Sequence, residues 1–122
     1  FTYIDDIVEG VVRTTDTLPP GDPTFRRGDP DPASSWAPYR IYNIGNHQPV
    51  ELMTFIETLE RALGKTAQKR FLPMQEGDVV ATHADTDALR AATGFAPTTP
   101  LDKGVTEFVG WFRQYRGKCL QE

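Results

Sequence analysis

Tyr39-Arg-Ile-Tyr-Asn-Ile-Gly-Asn-His-Gln-Pro-Val-Glu-Leu-Met-Thr-Phe-Ile-Glu-Thr-Leu-Glu-Arg-Ala-Leu-Gly64 reads as a strand, a turn and a helix in succession. From Tyr39 to Ile44 the side chains alternate, Tyr39, Ile41 and Asn43 against Arg40, Tyr42 and Ile44, and Gly45 ends the run. Asn46 to Gln48 forms the turn. Pro49 suits a first helical position, where no N–H donor is needed. Leu52, Phe55, Ile56, Leu59, Ala62 and Leu63 then recur at helical spacing until Gly64 stops the helix. Burying such a stripe gains ~1.5–3 kcal/mol for each large side chain, so this helix is expected to face a sheet.

Beyond Gly64, Gln68 to Leu72 reads as a short strand, and Pro73 to Ala84 as a polar corner. A turn at Gly77-Asp78 is followed by an extended run with Val79, Ala81 and His83 on one face and Val80, Thr82 and Ala84 on the other. Gln75 donates and accepts at once, Gly77 lets backbone approach something bulky, and ionised Asp78 accepts from hydroxyls or amides. The same residues also suit an ordinary surface turn. Thr86 to Thr93 predicts a short helix ended by Gly94. Thr99 caps a last helix with Pro100 in its first turn, Asp102 as an N3 carboxylate, and Leu101, Val105, Phe108, Val109 and Phe112 inward. Trp111 and Tyr115 lie at its edge, and Gly117 to Glu122 reads as a tail.

Before Tyr39 the pattern dissolves. Six of the ten prolines fall between Leu18 and Pro38, interleaved with Gly21, Asp22, Gly28, Asp29 and Asp31, so this is a long loop. Phe25 and Trp36, its large apolar residues, are expected to pin it to the body. Loops of this length inside a domain are uncommon and tend to be functional or mobile. Ahead of it, Ile7, Val8, Val11 and Val12 place a helix from Asp6 to about Thr15, and Phe1 to Ile4 reads as a short strand. Asp5 and Asp6 sit where acidic groups cap a helix start and complement its dipole, a better account than general acid–base work.

The chain has 122 residues, 39% apolar and 25% charged, which suits one domain or one lobe of a larger enzyme. A net charge of −4 argues against a nucleic-acid surface, and no apolar run approaches a membrane span. The single Cys119 forms no internal disulfide and fits a reducing cytoplasm. No secretory signal is visible. The chain opens on Phe1 in the manner of mid-protein sequence, so a fragment is expected.

Catalytic constellations are missing. Gly45 has no second glycine in register for a phosphate loop, and Ser34-Ser35 lies in the Pro-rich loop rather than at a nucleophile elbow. His83 and Asp85 share a strand face but find no third ligand, so no metal is expected. His47 reads as a solvent-facing or capping residue. No tyrosine is followed four residues later by lysine, for Tyr39 meets Asn43 and Tyr115 meets Cys119.

Five blocks nevertheless stand in a telling order: Phe1-Thr-Tyr-Ile-Asp-Asp-Ile-Val-Glu-Gly10, Tyr42-Asn-Ile-Gly-Asn46, Val50-Glu-Leu-Met53, Leu72-Pro-Met-Gln-Glu-Gly-Asp-Val79 and His83-Ala-Asp-Thr86. They resemble the C-terminal part of an extended short-chain dehydrogenase/reductase, among the NAD-dependent epimerases and dehydratases, with UDP-glucuronate 4-epimerases the nearest match. The resemblance implies an α/β fold class: the C-terminal substrate-binding lobe of a Rossmann-type enzyme, with short strands and about four helices. It places the lobe at residues 1–116, with the loop at 18–38 and a tail at 117–122. In that family an N-terminal Rossmann domain carries NAD and the catalytic Tyr and Lys, so this chain is expected to hold no cofactor and to be inactive alone.

By the family's pattern Phe1 lies beside the nucleotide and Val50 near the base. Asp78 faces a ribose hydroxyl, and Gln75 stands where many relatives place an Arg on the diphosphate, which makes that contact neutral. The expected partners are a UDP-sugar and the Rossmann domain, with a homodimer through an exposed Tyr39–Ile44 strand edge also open. A stand-alone interaction module, and a 4,6-dehydratase or decarboxylase of the same family, are the rival readings.

Overall fold

Helices account for nearly all the regular structure in the computed structural model, which describes residues 1–79 and 81–119. They are α1 (Ile4–Thr15), α2 (Leu52–Leu63), α3 (Asp87–Thr93) and α4 (Leu101–Cys119). α2 packs on α4, and α1 on α3.

α2 forms where the sequence reading put it, but it starts at Leu52 after Glu51, extended at φ −61°, ψ 140°, rather than at Pro49. It packs on helix α4 instead of the expected sheet, with Thr58 its buried residue and Leu52 58% exposed. It ends as its sequence demands. Gly64 adopts φ 68°, ψ 31°, a left-handed cap that spares an L side chain its steric penalty, and its N–H reaches the Glu60 carbonyl at 2.9 Å. From α4, one Arg113 guanidinium nitrogen donates to the carbonyls of Ala62 and Leu63 at 3.3 and 2.9 Å, placing a cation on the negative end of the α2 dipole. α3 ends in the same way at Gly94, φ 68°.

α1 starts earlier than predicted. Phe1 to Ile4 is no strand; Tyr3 is the N-cap residue, extended at φ −76°, ψ 144°, and Ile7 N–H donates to its carbonyl. Asp5 and Asp6 occupy the first turn, where they complement the dipole, but Asp6 caps nothing: its Oδ2 accepts the distant Thr99 N–H at 2.9 Å. The buried face of α1 centres on Gly10, because a Cβ there would lie 2.8 Å from Ile44 Cγ2. Val8, Val11 and Val12, expected inward, are half exposed instead.

Among the described residues the predicted strands do not form, and pairing is confined to an isolated antiparallel bridge, Ser34 to Arg40. Tyr39–Ile44 keeps only that bridge, beside the bond from Ile41 N–H to Ala33 O at 3.0 Å, while Gln68–Leu72 and the described part of Val79–Ala84 join no ladder, and β structure needs an adjacent backbone to satisfy one. Tyr39–Ile44 is therefore not the edge of a sheet within this chain.

The Pro-rich loop is held by polar bonds rather than aromatic anchors. Asp22 accepts from Thr24 N–H and Thr24 Oγ1 at 2.8 and 2.6 Å and from the buried Ser34 hydroxyl at 2.9 Å, while its own N–H donates to Ser35 O at 2.7 Å. Phe25 is half-buried, whereas Trp36, at 68% exposure, pins nothing. Residues 117–119 continue α4 where a tail was read; residues 120–122 lie outside the described residues.

The core is thin. Leu89, Val105 and Val109 are its buried large apolar side chains, joined by Pro97. Phe108 and Phe112, read as inward, are about half exposed.

Candidate functional site

Three segments converge on one side of the molecule: the start of the chain, the crossing at residues 43–48, and the extended run that ends at Ala84. The crossing is tight. Gly45 is buried, and a Cβ there would sit 2.7 Å from Ala84 Cβ, so only glycine lets the two backbones meet. Asn43 Nδ2 donates to Asp85 O at 3.2 Å and fixes the end of the extended run against it. Asp85 Oδ1 in turn accepts Asp87 N–H at 3.0 Å and sets the start of α3.

Between these segments and the lead-in to α2 lies a cleft of about 700 Å³, large enough for a drug-sized ligand. Its lining includes Phe1, Thr2, Asn43, Gln48, Val50, Val79 and His83. No Lys or Arg lines it among the described residues; Glu51 and His83 are its titratable side chains. The Phe1 ring forms one wall by stacking on Phe55 of α2, centroids 4.0 Å apart and planes 5° from parallel.

A second hollow, about 620 Å³, lies on the other side of Phe1 and Thr2. Tyr3, Phe55, Leu59, Leu101, Phe108 and Trp111 make it apolar. Desolvation there, with the carboxylates of Asp5 and Glu107 nearby, holds the Tyr3 phenol above its ordinary range. The rings of Phe108, Trp111 and Tyr115 continue the apolar surface along α4, at centroid spacings of 5.8 and 5.3 Å.

Of the residues singled out from sequence, Phe1 and Val50 share the first cleft. Gln75 and Asp78 share a different feature, an exposed turn in which Asp78 N–H donates to Gln75 O at 3.2 Å and Gly77 takes φ 89°. They line neither hollow, although Val79, the next residue, belongs to the cleft. The segment that bears them is tied to the body mainly through Glu60, whose carboxylate accepts from Lys69 Nζ and from Ala67 N–H and is held below its usual range by those bonds. His83 lines the cleft, and no group of three potential metal ligands occurs among the described residues.

Sequence reasoning missed the residues that hold the cleft together. Asn46 N–H donates to Thr2 Oγ1 at 2.9 Å, and its Nδ2 donates to Thr99 O at 3.3 Å. Its Oδ1 accepts Gln48 N–H at 2.9 Å, a local turn that an Asn at this position does signal. The two long-range partners left no mark in the spacing.

No family model matches the chain. An uncharacterized 37.6 kDa protein of Escherichia coli O111:H- is 51% identical over 115 residues, covering 94% of this chain and 34% of the relative. A probable UDP-glucuronate 4-epimerase of Rhizobium meliloti is 48% identical over 118 residues, covering 93% and 34%. Among solved structures, a mutant UDP-glucuronic acid 4-epimerase from Bacillus cereus, in complex with UDP-4-deoxy-4-fluoro-glucuronic acid and NAD, matches with a TM-score of 0.69 at 26% identity, over 94% of this chain and 32% of that one. The chain thus spans about a third of the length of the curated relatives it matches. With extended sequence identity and a shared arrangement of helices, it is homologous to a C-terminal part of the sugar-nucleotide epimerases, UDP-glucuronate 4-epimerases among them.

Proposed function

We propose that this chain is the lobe of an NAD-dependent sugar-nucleotide epimerase that grips the nucleotide of its donor, with UDP-glucuronate as the substrate and inversion at C4 as the reaction. The observation that carries this reading is the likeness, over 94% of the chain, to an epimerase held with NAD and a UDP-glucuronic acid analogue. The cleft supports it: an aromatic wall at Phe1, an aliphatic one at Val50 and amide donors at Asn43 and Gln48 suit a nucleoside better than a bare diphosphate.

In this reading Asp78 faces a ribose hydroxyl and Gln75 the diphosphate, once their turn closes on the cleft that Val79 already lines. The described residues offer no glycine-rich turn of the kind that cradles a dinucleotide, so NAD is assigned to none of them, and no hydride or proton step is assigned to this chain. The half-exposed valines of α1 and the apolar hollow beside α4 favour a lobe that leans on a further domain carrying that chemistry.

Titrating the isotope-labelled chain with UDP and UDP-glucuronate tests the reading. Amide shifts at Thr2, Val50, Gln75 and Asp78 that saturate with UDP are expected. Unmoved amides at millimolar ligand count against it and favour the interaction-module reading, for which the apolar hollow is the supporting observation. A larger protein containing this lobe that turned UDP-glucuronate into a decarboxylated or 4,6-dehydrated product would move the assignment to a sister activity.

A further inference from the structure

We propose that Asn46 is a positioning residue of the nucleotide cleft, acting through Thr2 and Gln48 to set the distance between the Phe1 wall and the Val50 wall. The inference rests on the nucleotide-sugar reading above.

Its warrant is the way one residue closes three parts of the chain onto each other, its backbone N–H bonding Thr2 and its side chain bonding Gln48 and Thr99. Thr2 lies 44 residues before Asn46 and Thr99 lies 53 after it, and Asn46 bonds to both. Thr2 and Gln48 line the cleft, so the bonds at 2.9 Å from Asn46 N–H to Thr2 Oγ1 and from Gln48 N–H to Asn46 Oδ1 fix one residue on either wall. The third bond, Nδ2 to Thr99 O, anchors the pair to the start of α4, and Thr99 is braced from behind because its N–H donates to Asp6 Oδ2 at 2.9 Å.

Asparagine is the residue this geometry requires. The side chain must donate to one carbonyl and accept from one N–H at once, which a carboxylate does not do and an alanine cannot. The preceding Gly45, wedged against Ala84, keeps the turn from sliding.

The test compares UDP affinity of the 122-residue wild type with that of Asn46→Ala, Asn46→Asp and Thr2→Val, at a temperature where far-UV circular dichroism shows all of them folded. Asn46→Ala is expected to weaken UDP roughly tenfold, the scale of one lost hydrogen bond in a partly buried site. Asn46→Asp is expected to be as weak near neutral pH, where its carboxylate faces the Thr99 carbonyl, and to recover as the pH falls to about 4 and the acid form donates again. Affinity is taken as the ratio to wild type at each pH. His47 of the turn, Glu51 and His83 of the cleft, Asp6 behind Thr99, Asp85 beyond Asn43 and the UDP phosphate are common to both proteins, so the ratio isolates residue 46.

Recovery of affinity at low pH is a signature that a purely structural role does not produce in a chain that stays folded. Thr2→Val removes one acceptor, leaves the Asn46 side chain intact, and keeps the test in force where Asn46→Ala fails to fold. Variants that bind UDP as wild type does overturn the inference alone. A wild-type chain that does not bind UDP overturns the reading beneath it, and the inference with it.

Discussion

Phe1 lies flat on Phe55, the two rings 4.0 Å apart and 5° from parallel, so the first residue of the chain is bound to the second turn of α2. The contact separates the polar cleft from the apolar hollow, because Phe1 lines both. A stacked aromatic pair is worth ~0.5–1.5 kcal/mol beyond the area it buries.

Replacing Phe55 with alanine should therefore free Phe1 and join the two hollows. Thermal unfolding is expected to show a loss of about 1–2 kcal/mol, reduced because Phe1 is itself more than half exposed. UDP affinity should fall with it, while Phe55→Tyr, which keeps a stacking face, should retain most of both. Equal affinity in Phe55→Ala and wild type would remove Phe1 from the site.

The knot at Asp22 gives a pH prediction. The Thr24 hydroxyl, the Thr24 amide and the Ser34 hydroxyl all donate to its carboxylate and hold it below its usual range. A carboxyl lowered in the folded state contributes order that is fully present above its ordinary pKa and is lost as the pH falls through its lowered value. Amide exchange over residues 22–36 should accelerate in that acidic window, before the helices melt. In Asp22→Asn the acid-triggered step should vanish; its persistence would assign it to another carboxylate.

Arg113 gives a prediction about helix ends. Its truncation to alanine leaves the Ala62 and Leu63 carbonyls to water, at an expected cost of about 0.5–1 kcal/mol for a charge-assisted bond at an exposed site. Urea unfolding should show a lower midpoint with an unchanged slope. An unaltered midpoint would mean that the bond contributes nothing beyond what water supplies.

The helices were legible because each carries its own signals: a period of apolar residues, an acidic first turn at Asp5 and Asp6, and a glycine stop at Gly64 and Gly94. The strands were misread because alternation such as Tyr39 to Ile44 says that a segment is extended and says nothing about whether another backbone lies beside it. Inward faces were misjudged for a related reason. Val8, Val11 and Val12 have the spacing of a buried stripe, yet the close approach at Gly10 turns the other side of α1 inward. At the site, Phe1 and Val50 were reached through resemblance to a family, whereas Asn46 was not, since its partners at Thr2 and Thr99 are set by the fold and leave no local trace.

The bond from Asp22 N–H to Ser35 O, 2.7 Å long, brings the two feet of the Pro-rich loop side by side. Closing a loop depends weakly on the number of residues between its feet once they meet. The tip of the excursion, Arg26 to Pro30, is thus a detachable module that can be cut short or exchanged for a tag or a sensor peptide, whereas Thr24, Ala33 and Ser34 must stay. Thr24 and Ser34 tie the knot at Asp22, and Ala33 O accepts Ile41 N–H at 3.0 Å beside the Ser34 to Arg40 bridge.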